Sequence, residues 1–308
     1  MVNHTRSASL ASALALAGAL GACGPSADRY ELLRPDAGPP DPSVLEKDAG
    51  AVNVIEDDPL EDWDMTDAGP LSGVFALEIE AHANVIIDLD WRQLYRVRIL
   101  QHGQTLRVKT QLCRIGLPSV EGIAELTIPL ALEMLLRAKP LEVEGDFLSD
   151  AAAVGATFDH PPFLNVVGAA LDDPSADPLP TKSSPSTAVD EDDDGHTGVT
   201  LAASTLTCNT PQELYVALRG GMTLAGTVQD LDTLAGAADP RLDQSILGYS
   251  DPCLDAAVSI PVTILGDNTF TARRTSAALD VNDNGNVTCG EIVVAAPKLF
   301  GAFWGAAN

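Results

Sequence analysis

The chain has 308 residues, and its 44 acidic residues outnumber the 18 basic ones, which gives a net charge of −26. A surface this anionic keeps a protein soluble and repels phosphate backbones, so it argues against nucleic acid as a partner. Hydrophobic residues make up 45% of the chain, and the length allows one large or two small folded domains.

Residues 1–22 have the pattern of an export signal. Arg6 is the one Lys or Arg before an apolar run of 13 residues from Ala8 to Leu20, and no acid precedes Asp28. A bilayer span needs about 20 apolar residues, so the run predicts a signal peptide that is later removed.

The apolar run ends in Leu20-Gly21-Ala22-Cys23, which resembles the lipobox of bacterial lipoproteins. The resemblance implies that Cys23 becomes the first residue and carries acyl chains such as palmitate, which anchor the protein to a membrane of the cell envelope. Gly24 stands where an Asp would favour retention at the inner membrane, so the outer membrane is expected. The alternative is an ordinary secreted protein with a Cys here by chance.

Residues 23–70 predict a disordered tether that holds the folded part away from the lipid surface. Between positions 24 and 70 the chain has seven Pro, 13 acidic and three basic residues. Such a composition buries too little apolar area to offset the entropy of ordering. Leu60 and Trp63 are the candidates for local docking.

Residues 71–308 predict a mostly β domain. Phe75, Leu77 and Ile79 alternate with small or acidic residues, and 95–99 and 106–110 predict a hairpin with one apolar and one basic face. Short strands separated by Gly, Asp and Pro favour an antiparallel sandwich or barrel with one or two short helices. Further elements are strands at 141–144, 213–218, 222–230, 241–247, 258–265 and 268–276, a helix at 128–138 and a surface excursion over 172–198.

The predicted hairpin is the most basic part of the chain, because residues 91–120 contain no acid and six cations. One interpretation is a patch for anionic lipid or polysaccharide. The favoured interpretation is cross-strand pairing with acids on neighbouring strands. The cations are Arg92, Arg96, Arg98, Arg107, Lys109 and Arg114, and the acids are Glu78, Glu80, Glu142 and Glu144.

Four cysteines remain after Cys23, and an oxidising compartment predicts that they form two disulfides. Three pairings are possible, of which Cys113–Cys208 with Cys253–Cys289 is favoured. The cysteine spacings match no zinc site.

Residues 280–291 read Asp-Val-Asn-Asp-Asn-Gly-Asn-Val-Thr-Cys-Gly-Glu and resemble a calcium loop of the EF-hand or dockerin type. The resemblance implies a Ca²⁺ cofactor, with Gly285 at the sharp turn and Glu291 closing the site at position twelve. The flanking pattern predicts a strand–loop–helix arrangement, in which Pro297 limits the helix. The implied ligands are Asp280, Asn282, Asn284, Asn286 through its carbonyl, Thr288 and Glu291.

Two of these ligands are charged, which predicts weak binding of a structural ion, with a dissociation constant on the order of 10⁻⁴–10⁻³ M. A second stretch, Asp190 to Gly195, begins like a calcium loop. It has Gly198 at position nine and Leu201 at position twelve, so a solvated acidic loop is the favoured interpretation.

No nucleophile elbow, zinc-protease motif, P-loop or Rossmann fingerprint occurs, so no enzyme is predicted. The sequence predicts a membrane-anchored, non-catalytic envelope lipoprotein with structural Ca²⁺ and an envelope protein or polysaccharide as its possible partner. One alternative is a lipocalin-like binder of a small apolar ligand, with a deep apolar cavity. Gly73-Val74-Phe75 resembles the Gly-x-Trp start of that family, with Phe in place of Trp. The other alternative is an envelope hydrolase, with a cleft containing a carboxylate of raised pKa.

Overall fold

Antiparallel strands of alternating apolar and polar residues form one large sheet that curls into a barrel. In the computed structural model, eight strands follow one another in the order β6-β3-β2-β1-β12-β10-β9-β7, with β11 added to β1 and β8 to β9. The strands are β1 Gly73–Asn84, β2 Asp88–His102, β3 Thr105–Gly116, β4 Ser119–Val120, β5 Ala124–Glu125, β6 Leu141–Asp146, β7 Thr157–Val167, β8 Val199–Ala203, β9 Gln212–Asp230, β10 Thr233–Tyr249, β11 Thr263–Ile264 and β12 Thr269–Arg274.

The structure describes residues 63–84, 88–116, 119–120, 124–125, 130–192, 194–203, 212–254, 263–280 and 286–305. The signal peptide, Cys23 and the tether up to residue 62 lie outside these ranges. Within these ranges, β4 and β5 form a separate two-stranded sheet.

The two ends of the strand order, β6 and β7, are joined by the residues that follow β6. Leu148 forms a β-bridge with Phe158. The N–H of Asp159 donates to the carbonyl of Phe147 at 3.0 Å, and that of Ser149 to the carbonyl of Thr157 at 3.1 Å. The sheet is therefore nearly closed, and the predicted mostly β, antiparallel fold is confirmed in its barrel form.

The barrel interior is built from the apolar positions of the strands. Phe75, Leu77 and Ile79 of β1 are buried there, as the alternation predicts, together with Val97 and Ile99 of the hairpin. Because successive side chains of a strand point to opposite faces, the intervening residues lie on the outside.

Residues before β1 pack against the barrel. Trp63 and Leu71 are buried, and the fully buried Gln101 accepts a hydrogen bond from the N–H of Leu71 through its Oε1 at 2.9 Å. The carbonyl of Gln101 accepts another from the N–H of Gly69 at 2.7 Å. Within the described residues, packing against the barrel therefore includes Trp63, which precedes the predicted domain start at residue 71.

Two helices cover parts of the outer surface. Helix α1, Leu130–Arg137, lies within the predicted range 128–138. Its Leu135 and Leu136 pack against a group of valines from β7, β8 and β9. Helix α2, Cys289–Phe300, packs over the outer side of β1, β2 and β3 and continues through Pro297.

Some predicted boundaries differ from the observed strands. The predicted strands 213–218 and 222–230 are one strand, β9, because Gly220-Gly221 is not a turn. A Cβ at Gly221 would lie 2.3 Å from the carbonyl oxygen of Phe163, so the glycine permits β7 to pair closely. β7 itself and the first half of β10 were not predicted. Of the predicted strand 258–265, residues 263–264 are seen as β11, and 255–262 lie outside the described residues.

Candidate calcium-binding loops

The C-terminal loop lies between β12 and α2, so the predicted order of strand, loop and helix is present. Asp280 follows a short 3₁₀ turn, Ala277–Leu279, and its N–H donates to the carbonyl of Ala277 at 3.2 Å. The predicted ligands Asn282 and Asn284, together with Gly285, lie outside the described residues. The structure therefore describes the two ends of this loop.

Of the predicted ligands, Thr288 and Glu291 meet at the start of α2. The N–H and Oγ1 of Thr288 donate to Oε2 of Glu291 at 2.8 and 2.9 Å, and the N–H of Glu291 donates to Oγ1 of Thr288 at 3.2 Å. This reciprocal arrangement is a capping box, which satisfies N–H groups left unpaired at a helix start. It brings together the oxygens predicted for positions nine and twelve.

Arg96 holds the same loop to the barrel wall. Its side chain is buried, with Nε donating to the carbonyl of Val287 at 2.8 Å and Nη2 to Oδ1 of Asn286 at 2.5 Å. The predicted partners of this arginine were acids on neighbouring strands. Arg96 points outward from β2 and is covered by this loop. The pattern of charges along the sequence did not indicate that the loop crosses this part of the barrel.

A disulfide joins Cys113 to Cys289, with an S–S distance of 2.01 Å and a sequence separation of 176. The favoured pairing of Cys113 with Cys208, and of Cys253 with Cys289, is therefore wrong. Cys113 is on the outer side of β3, where the first turn of α2 packs, and sequence spacing does not indicate which segment crosses that face. Cys253 is also disulfide-bonded. Cys208 lies outside the described residues.

The acidic stretch 190–195 brings three carboxylates together. Oxygens of Asp190, Asp192 and Asp194 all lie within 4.8 Å of one another, and within the described ranges this is the one such group of His, Cys, Asp or Glu. Partial burial raises the pKa of Asp192, the N–H of Thr200 lowers it, and the charges of Asp194 and Asp190 raise it further. A bound cation would relieve this repulsion.

The acidic loop is attached to the barrel on both sides. Glu191 forms an ion pair with Lys139 and accepts a hydrogen bond from the N–H of Gly168 at 2.5 Å. Asp190 forms a bridge with Gly198, which adjoins β8. The three aspartates of this predicted solvated loop are therefore exposed, while Glu191 and the bridge to Gly198 attach the loop to the rest of the fold.

Two cations of the basic hairpin form ion pairs with acids on neighbouring strands. Arg92 donates to Oε1 of Glu78 at 2.9 Å and to Oε1 of Glu80 at 2.8 Å, and Arg107 donates to Oε1 of Glu142 at 2.5 Å. Cross-strand pairing is therefore confirmed for these two arginines.

Side chains fill the centre of the barrel. A cavity of about 20 Å³ remains between the strands, lined by His160 and apolar residues such as Phe158 and Phe270. A single water needs about 10–15 Å³, whereas pockets for organic ligands begin at about 300 Å³. This cavity is far smaller than the one that a lipocalin-like binder requires.

No family model, curated protein or solved structure matches this chain. The interpretation of the lipobox and of both loops therefore depends on their own residues. In the described part of the chain, no helix is long and apolar enough to cross a membrane.

Proposed function

We propose that this protein is a lipid-anchored, non-catalytic protein of the bacterial cell envelope whose barrel is stabilised by Ca²⁺. The export signal and the lipobox at 20–23 support an anchor at Cys23, and Gly24 favours the outer membrane. The disulfide between Cys113 and Cys289 is consistent with an oxidising compartment.

The filled interior is the observation that carries the structural role. Eight-stranded barrels either fill their centre with side chains or hold one small ligand. The cavity of about 20 Å³ agrees with the first arrangement. Binding of partners would then occur on the outer surface, with an envelope protein or a polysaccharide as the partner class.

Calcium is supported by the arrangement of the C-terminal loop. Thr288 and Glu291 bring oxygen atoms together at a helix start, and Arg96 and the disulfide hold the C-terminal end of the loop, residues 286–289, on the barrel. Ligand groups that are already held in place lose less entropy on binding, which compensates in part for a low ligand charge. The three aspartates at 190–194 are a second candidate for the same ion.

Calorimetric titration of Ca²⁺ into the chelator-treated full-length protein, with thermal unfolding in parallel, tests the calcium proposal. We expect saturable binding with a dissociation constant on the order of 10⁻⁴–10⁻³ M. At a Ca²⁺ concentration ten times the dissociation constant, the melting temperature would rise by about 3–5 °C.

Detergent partitioning of the wild type and of Cys23→Ser tests the lipid anchor.

Three variants assign the calcium site. Glu291→Gln keeps the capping box, since Gln serves equally there, and removes a charged ligand. Asp192→Asn removes one of the three charged groups of the acidic loop. Glu144→Gln is the control, because Glu144 is an exposed acid on β6, outside both loops. Loss of binding in one loop variant identifies that loop. Absence of heat and stabilisation up to about 10 mM Ca²⁺ would contradict the calcium proposal.

A further inference from the structure

Trp63 lies on the outer face of the β2–β3 hairpin, held between two arginines. The guanidinium carbons of Arg98 and Arg107 lie 4.8 and 4.7 Å from its ring centroid. The side chain is 8% exposed. Cations over an indole face are attracted by its electron density, so this contact holds Trp63 against the hairpin.

The indole Nε1 of Trp63 is buried and has no hydrogen-bond partner among the described residues. A buried N–H without an acceptor costs free energy and is uncommon in folded proteins. The segment that precedes Trp63 in the sequence lies outside the described residues and contains many groups that could accept this hydrogen bond.

That segment is strongly acidic. Residues 56–62 read Glu-Asp-Asp-Pro-Leu-Glu-Asp, with five acids in seven positions. The hairpin face beside Trp63 has three cations, Arg98, Arg107 and Lys109, and Arg98 is directly opposite Lys109 across the strand pair. Arg107 is already paired with Glu142, whereas the contact described for Arg98 is its position over the indole.

We propose that residues 56–62 dock on this basic face, with their carboxylates beside Arg98 and Lys109 and an acceptor placed at Nε1 of Trp63. The geometry permits it, because seven extended residues span up to about 24 Å from Trp63 and opposite residues of a strand pair lie about 5 Å apart. The last part of the tether is then a strap on the barrel, and residues 24–55 alone set its reach from the membrane. This docking does not depend on the lipid anchor or on calcium.

Hydrogen exchange of the full-length protein in zwitterionic detergent micelles tests this docking. Amides in 56–62 are expected to exchange about tenfold more slowly than those in 46–52, another stretch of the tether, because several partly buried ion pairs act together. In about 0.5 M NaCl most of the protection is expected to disappear, since salt screens exposed charges.

Charge variants identify the docking face. Arg98→Gln with Lys109→Gln is expected to abolish the protection, whereas Lys182→Gln with Lys298→Gln, an equal charge loss elsewhere, leaves it intact. Asp62→Asn with Glu61→Gln perturbs the segment instead of the barrel, so it tests the docking even if the hairpin variant fails to fold.

Three results would overturn the proposal. The first is exchange of 56–62 at the rate of 46–52 in the wild type. The second is protection of 56–62 that survives both the double substitution of Arg98 and Lys109 and that of Glu61 and Asp62. The third is protection of residues 98–109 by phosphatidylglycerol vesicles and not by phosphatidylcholine vesicles, which would assign the face to anionic lipid.

Discussion

Replacing His160 with Phe is expected to make the protein less sensitive to acid. His160 is 2% exposed inside the barrel, and its ring centroid lies 5.2 Å from that of Phe147 and 5.4 Å from that of Phe163. Its Nδ1 is 2.6 Å from the carbonyl oxygen of Pro161, and its Nε2 has no partner among the described residues. Burial lowers the pKa of the ring from 6.5 to about 4. The hydrogen bond to Pro161 acts in the opposite direction, but its effect is smaller.

These values determine the direction and size of the effect. Because the folded pKa is below the unfolded one, the unfolded chain binds a proton first as the pH falls. The neutral ring contributes its full stability above about pH 6.5, and that contribution is lost towards pH 4. The loss is about 1.4 kcal/mol per pH unit in this window, so between pH 7.5 and 5 it comes to about 2 kcal/mol.

Urea unfolding of the wild type and His160→Phe at pH 7.5 and 5 measures this loss. Carboxylates also titrate, but they do so in both proteins, so the difference between the two isolates His160. The neighbouring cavity of about 20 Å³ leaves room for the larger ring. His102→Gln, which removes an exposed imidazole, is the control and should follow the wild type. Equal losses of free energy in the wild type and His160→Phe would refute the reasoning.

Two further changes test the attachment of the loops. Removing the disulfide with Cys113→Ala and Cys289→Ala is expected to lower the free energy of urea unfolding by about 2–5 kcal/mol, because the bond closes a long loop; an unchanged midpoint would contradict this. Gly198→Ala is expected to cost about 2 kcal/mol or more, because φ is 106° and the new Cβ would lie 2.6 Å from the carbonyl oxygen of Val216. Gly195→Ala, where φ is 90° and nothing lies within 4 Å, should cost about 1 kcal/mol in the same assay, and an equal cost at both sites would show that crowding is unimportant.

Strands with a strict two-residue alternation could be predicted from the sequence. In β1, Phe75, Leu77 and Ile79 belong to the barrel core, while Glu78 and Glu80 both pair with Arg92. Residue type therefore alternates with a period of two, although Glu78 is buried as well. The hairpin that follows was predicted for the same reason. Calcium binding at 280–291 stays a prediction from residue identity and spacing, and the structure describes only the two ends of that loop.

Other elements were missed because local signals oppose the tertiary packing. β7 contains Pro161-Pro162, which normally argues against a strand, and the register with β9 shifts there between His160 and Phe163. The first half of β10 is rich in Ala and Gly and shows no alternation. The partners of Cys113 and Arg96 depend on which segment crosses the outer face of the barrel, and one sequence does not contain that information.

The position of β1 determines how the barrel would respond to tension. All of β1, Gly73–Asn84, pairs with β2 on one side, and residues 75–80 pair with β12 on the other. A pull on the N-terminal segment along this strand loads both ladders in shear, so many hydrogen bonds must break together. An edge strand would instead peel away one bond at a time. A chain held at its N-terminus would thus meet mechanical force at a strand that is paired along its whole length.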